Sequence, residues 1–379
     1  MTCTSNVDER MVHAYTLCAG TPHGHGEGVD LVVARRFKAA RRHLRPNSTR
    51  RPHGVGVNAV KPSPRLAPRT DPEGPAPGSA TICNMDYGLA LPNFLEGSSA
   101  EGIEAAAEAA ERLGFSTVWT TDHVLIDHAF EAEYGRIYEA ILTLAHVGAR
   151  TSRLKLGTSV IVVPQRQAVV LAKELATLDN LTRGRLIAGV GAGWSVAEYA
   201  HLGVADRFHV RGAYLDETIR LWRHLWSGSV EPFDGRFNHL TDFVFAPLPA
   251  QTGGPPIVVG GSSDAALRRA GMLGDGYHFS VAPPTSVAER VPRVRAAAES
   301  AGRPMPPVSG RVTLRFDAPP PAAGQPYAMT GAPEVVAAEV RAYAGAGVDH
   351  LALVLRETDP ARYVAIAERF AQEVMPLVG

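Results

Sequence analysis

Residues 110–123 read Ala-Glu-Arg-Leu-Gly-Phe-Ser-Thr-Val-Trp-Thr-Thr-Asp-His. A helix tail ends at Gly114, the residue that most readily takes the left-handed conformation beyond a helix C-terminus. An apolar strand follows over 115–120 and stops in a polar tip. Upstream, Tyr87-Gly-Leu-Ala-Leu-Pro92 is a short apolar run closed by proline, which reads as another strand. Between the two, Ser98 or Ser99 caps a helix rich in Ala and Glu that runs to Arg112. Downstream the alternation continues: helix 137–148, strand 154–163, helix 166–181, strand 185–190, helix 207–226. Strand 256–259, helix 263–273, strand 275–279 and helix 284–300 come next. Strand 308–314, helix 333–345, strand 349–355 and helix 360–374 complete the series. Strands this apolar are covered on both faces, as parallel strands are. Eight such βα units over 85–379 predict a closed (β/α)₈ TIM barrel rather than an open sheet. The stretch 229–249 carries Asp234-Gly235 between two extended arms and predicts a hairpin inserted between units four and five.

Residues 1–84 are different material. They hold 12 Lys+Arg against 6 Asp+Glu, with nine prolines and eight glycines, so their net charge of +6 is offset over the rest of the chain. Such a segment cannot bury enough apolar surface to offset chain entropy, and a disordered basic extension is expected. It fits neither a signal peptide nor a transit peptide. Met85 reads as the natural start, and the segment is expected to be dispensable. The domain proper is 85–379. Cys3, Cys18 and Cys83 all precede it, so a disulfide framework, a Cys-ligated metal and a thiol nucleophile are excluded from the barrel. A composition 45% hydrophobic and 20% charged, with equal basic and acidic counts, indicates neither a nucleic-acid nor a membrane partner. Absence of cysteine fits a reducing, cytoplasmic setting.

In a barrel the chemistry sits at the C-terminal strand ends. Those ends carry Pro92-Asn93-Phe94, Thr120-Thr121-Asp122-His123, Thr158 to Pro164, Gly189 to Trp194, Gly260 to Ser263, and Gly274 to His278. Asp122-His123 is the most suggestive pair, because a strand-end imidazole beside a carboxylate is held in one tautomer and moves protons near neutrality. Asp127-His128 repeats the dipeptide and reads as loop. Gly189-Val-Gly-Ala-Gly193 lacks the full dinucleotide spacing, and reads as backbone closely approaching a flat ring or phosphate. Gly260-Gly261-Ser262-Ser263 leads straight into a helix N-terminus, where free N–H groups and the helix dipole favour an anion. Trp222 and Trp226 read as a buried helix face, and Trp194 as a pocket residue.

Taken in order, these pieces resemble the luciferase-like monooxygenase superfamily, and Trp119-Thr-Thr-Asp-His-Val-Leu125 resembles its F420-dependent oxidoreductase branch. The stretches 156–164, 172–179, 184–194 and 256–261 carry the rest of the resemblance, which covers 85–379 and none of 1–84. It implies a barrel using coenzyme F420, or FMN in the alternative, to act on a small organic substrate, with a homodimeric assembly expected. It implies that Asp122 and His123 face the cofactor ring, with His123 handling the proton that accompanies hydride transfer. Asn93 joins them at the first strand end. A bulge at Ser159-Val160, often with a non-prolyl cis peptide, backs the ring. Gly191, Gly193 and Trp194 border its edge, and Gly260, Gly261 and Ser262 hold the phosphate.

Three rivals remain at this level. An FMN-dependent monooxygenase uses the same barrel. A metal-dependent hydrolase would use Asp122, His123 and His128, but such enzymes commonly place His-x-His on the first strand, which has no His, and no metal is expected. A barrel that binds cofactor without catalysis is the non-enzyme reading. No charged cluster marks the substrate.

Overall fold

The computed structural model describes residues 85–379; the expected disorder of 1–84 falls outside the described residues. The eight expected units are all present. The strands are β1 (Asp86–Ala90), β2 (Thr117–Thr120), β3 (Lys155–Thr158), β4 (Leu186–Gly191), β5 (Ile257–Gly260), β6 (Gly276–Ser280), β7 (Val308–Phe316) and β8 (His350–Val354). Their helices are α1 (Ala100–Leu113), α2 (Ala140–Arg150), α3 (Ala168–Leu181), α4 (Arg211–Trp226), α5 (Asp264–Leu273), α6 (Pro284–Ser300), α7 (Pro333–Gly345) and α8 (Pro360–Arg369). Each strand pairs in parallel with the next, β8 pairs with β1 (Leu89 opposite Leu353), and the β6–β7 pairing completes the ring.

Local chemistry sets the boundaries. Ser99 caps α1 by accepting from the Gly102 N–H, and Gly114 ends it at φ 85°. Helix α2 begins at Ala140 rather than near 137 because the Glu139 side chain accepts from the Leu142 N–H at 2.7 Å. The outward-facing strand residues Leu89, Val118, Leu156, Ala188 and Val259 are buried beneath the helices. Trp222 and Trp226 are fully buried on α4, and their indole N–H groups donate to the Ala168 and Ala172 carbonyls of α3, at 2.9 and 3.2 Å.

The barrel's interior is closed at its waist by Trp119. A Cβ on Gly88 would lie 2.9 Å from the Trp119 indole nitrogen, and one on Gly157 would collide with the ring, so both glycines make its space. The indole donates to His350 Nε2 at 3.0 Å and stacks on His278 with ring centroids 4.8 Å apart.

Three further expectations are corrected. The strand expected over 154–163 is broken after Thr158 by a cis Ser159–Val160 bond and resumes at Ile161–Val162. The helix expected from 207 starts as a tighter turn over Ala205–Val210 before α4. The final helix passes into a wider π turn at Phe370–Val374. Short elements outside the expected series include helices at Glu131–Tyr134, Val196–His201 and Met375–Val378, and Ala328–Gly331, a strand beside the far end of β7. The 229–249 insertion is the expected hairpin, pairing Phe233–Asp234 with His239–Leu240.

Candidate active site

A cavity of about 700 Å³ opens at the C-terminal ends of the strands. Ten of the eleven residues expected at the site line it: Asp122, His123, Ser159, Val160, Gly191, Gly193, Trp194, Gly260, Gly261 and Ser262. Asn93 does not. It is fully buried behind the wall, where its amide donates to the Thr121 and Tyr138 carbonyls and accepts from the Thr121 N–H. Its place in the fold is to hold the end of β2.

The sequence pairs His123 with the adjacent carboxylate of Asp122. The structure pairs it with Glu198 instead. His123 Nδ1 lies 3.0 Å from Glu198 Oε2, and both side chains are buried. Glu198 also accepts from Gln165 Nε2 at 3.0 Å and from the Val124 N–H at 2.7 Å. Burial pushes its pKa up, but these hydrogen bonds outweigh burial and hold it down at about 2. Glu198 is therefore a permanent anion on Nδ1, which leaves Nε2 of His123 for the cavity. Tyr134 packs on the imidazole at 4.4 Å and Trp194 meets it edge-on at 5.5 Å.

Asp122 has a different task. Its two oxygens accept from Arg166 at 2.7 Å and from the Val162 N–H at 2.8 Å. Burial raises its pKa, with the Arg166 guanidinium and the Val162 N–H pulling downward. Arg166 reaches on to Glu139 at 2.9 Å. Asp122 thus anchors the chain just past the cis bond, between β2 and the β3 terminus.

The glycines also have a more specific meaning than the sequence suggests. A Cβ on Gly191 would lie 2.6 Å from Val160, and one on Gly260 would lie 2.8 Å from it. Both leave room for the Val160 side chain, so the bulge sits across the barrel mouth and the glycines support it. Gly193 (φ 70°) and Gly261 (φ 128°) need left-handed backbone. At the Gly260–Ser263 turn Ser263 caps α5 by accepting from the Ala266 N–H, while Ser262 remains exposed beside it.

Among the side chains at the site that escaped the expectation are His278 and Arg311, which line the cavity, and Glu198, which lies behind His123. His278 lies 2.8 Å from Ser159 Oγ and 2.9 Å from Ser309 Oγ. Burial first, then the nearby Arg311 and His350 charges, bring its pKa down to about 3, so it is neutral. Arg311 donates to Ser280 Oγ at 3.0 Å and Thr121 Oγ1 at 2.8 Å. For Glu198 a signal was present: Ser195-Val-Ala-Glu198 has the spacing of a capping box. Ser195 does accept from the Glu198 N–H at 3.1 Å, but the carboxylate turns to His123 instead of back to Ser195. His128 is exposed and pairs with Glu131. Among the described residues no group of three or more His, Cys, Asp or Glu is placed to hold a metal ion.

A parallel barrel whose second strand delivers an imidazole to the mouth, facing a bulge after the third, defines a class. The luciferase-like monooxygenase family model matches residues 85–316, and the chain belongs to that family. Among relatives, it is 35% identical over 201 residues to the F420-dependent glucose-6-phosphate dehydrogenase of Nakamurella multipartita, spanning 52% of this chain and 58% of that one. It is 27% identical over 337 residues to the enzyme of the same name from Kineococcus radiotolerans, spanning 78% of this chain and 96% of that one. An F420-dependent secondary alcohol dehydrogenase, solved with an F420–acetone adduct, shares the fold with a TM-score of 0.67 at 19% identity, over 78% of this chain and 99% of that one.

Proposed function

We propose that the protein is an F420-dependent oxidoreductase that moves a hydride between the deazaflavin and a small organic substrate. The observation that carries this reading is the buried His123–Glu198 pair at the edge of a cavity large enough for a tricyclic ring. The relatives named for F420 chemistry support it.

The residues fit such a group. Val160, seated over Gly191 and Gly260, offers an apolar surface to a flat ring. Gly260, Gly261 and Ser262 lead into the N-terminus of α5, where a phosphate would meet free N–H groups and the positive end of the helix dipole. When bound, F420 would supply the hydride donor or acceptor. The protein's part is the proton: Glu198 holds His123 Nδ1, and Nε2 takes or gives the proton that must accompany hydride transfer. Asp122 keeps the Ser159–Val162 segment in place through Arg166 and the Val162 N–H.

Fluorescence titration with F420, run beside FMN, tests this reading. Saturable F420 binding supports it; tight FMN binding without F420 binding moves the protein to the FMN-dependent monooxygenase branch. We also read the protein as a homodimer in solution, because Leu142 of α2 and Val170 and Leu181 of α3 form an exposed apolar strip. No described helix is long and apolar enough to cross a membrane. A cytoplasmic location is part of the same reading.

A further inference from the structure

Around the cavity, charges come in pairs. Asp122 and Glu139 share Arg166, His123 meets Glu198, Arg269 meets Asp216, and Glu133 meets Arg356. Two arginines are the exceptions: Arg211, which donates to the Phe208 carbonyl and lies over the Phe208 ring, and Arg311. Arg311 lies on β7 directly beside Ser280 of β6 and Ala352 of β8, and its side chain lines the cavity. Its donors reach neutral hydroxyls, Ser280 Oγ and Thr121 Oγ1, with the Tyr134 hydroxyl facing it as well. Among the described residues no carboxylate lies within salt-bridge distance of it, and nearby Glu133 is paired elsewhere.

An arginine does not escape this position by losing its proton, since guanidinium stays charged in proteins. Burial opposes the charge here, with Tyr134 and Glu133 favouring it, and a half-buried cation with no carboxylate in contact is costly. A fold that keeps one at the wall of its ligand cavity has a place for an anion to enter. The position is also suggestive. Thr121, held by Arg311, lies two residues before His123, and Tyr134 faces Arg311 while packing on the His123 ring.

We propose that Arg311 is the receptor for a carboxylate carried by the substrate, so that the enzyme acts on small hydroxy or oxo acids whose reacting carbon lies beside His123. This rests on the cavity being the active site described above. One guanidinium balances one negative charge, and its planar fork matches the planar carboxylate. Arg166 and Arg269 already serve Asp122, Glu139 and Asp216, and Arg211 is engaged by the carbonyl and ring of Phe208, which leaves Arg311 as the cavity arginine held by hydroxyls alone.

The test uses the cofactor-free full chain and a matched pair of probes, propionate and its neutral near-isostere propanamide, followed by saturation-transfer NMR. Propionate should bind saturably and about tenfold or more tightly than propanamide. Arg311→Gln should abolish that preference, and Arg311→Lys, which keeps the charge but loses the fork, should weaken it. Ser280→Ala keeps the guanidinium and should retain the preference, which guards against a Gln variant that fails to fold. F420 affinity of Arg311→Gln should stay within about twofold of wild type. Equal binding of the two probes, or a preference that survives Arg311→Gln, overturns the proposal. So does tighter Arg311-dependent binding of inorganic phosphate than of propionate, or a large loss of F420 affinity in the variant. If F420 fails to bind the wild type while the Arg311-dependent preference remains, the cofactor reading falls and the carboxylate site stands.

Discussion

The two ends of the barrel use the same residue types in opposite ways. At the N-terminal end Arg185, just before β4, donates to the carbonyls of Gly148, Thr151, Leu154 and Thr182 and to the Thr151 hydroxyl. Asp275 accepts from Arg223 and the Ile257 N–H, and Asp349 accepts from the Val308 N–H. Apart from the Asp275–Arg223 pair, these side chains fasten the backbone of loops, helix ends and strand starts. At the C-terminal end side chains hold one another: His123 with Glu198, Asp122 with Arg166, His278 with Ser159 and Ser309. Arg185 is saturated by protein carbonyls, whereas Arg311 meets only hydroxyls. One end is built for stability, and the other keeps interactions in reserve for a ligand, as barrel enzymes divide them.

Substitutions at the two ends should separate rate from stability. The largest effect belongs to His123→Ala, which should lower kcat by about 10²–10⁴-fold with F420 affinity nearly intact. A parallel loss of cofactor affinity in titration would instead make His123 a packing residue. Glu198→Gln keeps the shape but removes the anion on Nδ1, so kcat should fall by about 10–100-fold in steady-state assays with F420 affinity unchanged. At the other end Arg185→Met should cost about 3 kcal/mol of stability in urea unfolding while kcat at saturation is unchanged. A rate loss there equal to the Glu198→Gln effect would break the division.

The smallest effect is a pH dependence. His278 and His350 have pKa values lowered to about 3, chiefly by burial, against 6.5 ordinarily. The unfolded chain therefore binds protons that the folded one refuses. This stability is fully present above pH 6.5 and is lost as pH falls toward 3. Glu198, held at about 2, adds a further loss only between about pH 4.5 and 2. His350→Asn should flatten the first slope, recovering about 1–2 kcal/mol of the difference in unfolding free energy between about pH 7 and 5. An unchanged slope would show that His350 already carries a proton in the folded state.

The barrel was legible because its outward-facing residues repeat: apolar strands, amphipathic helices, caps such as Ser99 and stops such as Gly114 recur with each unit. The site was legible where a residue sits at a strand's end, as Asp122 and His123 do. It was hidden where function depends on partners distant in sequence. Glu198 is 75 residues from His123, and its capping-box spacing points to a helix start rather than to an imidazole. Arg311 lies in Ser309-Gly-Arg-Val-Thr313, where no local pattern distinguishes it from a surface arginine. The glycines at 191 and 260 read as ligand contacts because nothing in the sequence places Val160 across from them.

Trp119, standing between His350 below and His278 above, turns the barrel into a vessel with one opening. Two ligands that share such a vessel enter and leave by the same end. A ligand seated deep beside Val160 would then be covered by one bound nearer the opening, so the order of release would depend on architecture as well as on relative affinity. With the ring at that depth, the organic acid would bind nearer the opening and its product would leave the more easily of the two. Product inhibition patterns would then carry the imprint of a single indole.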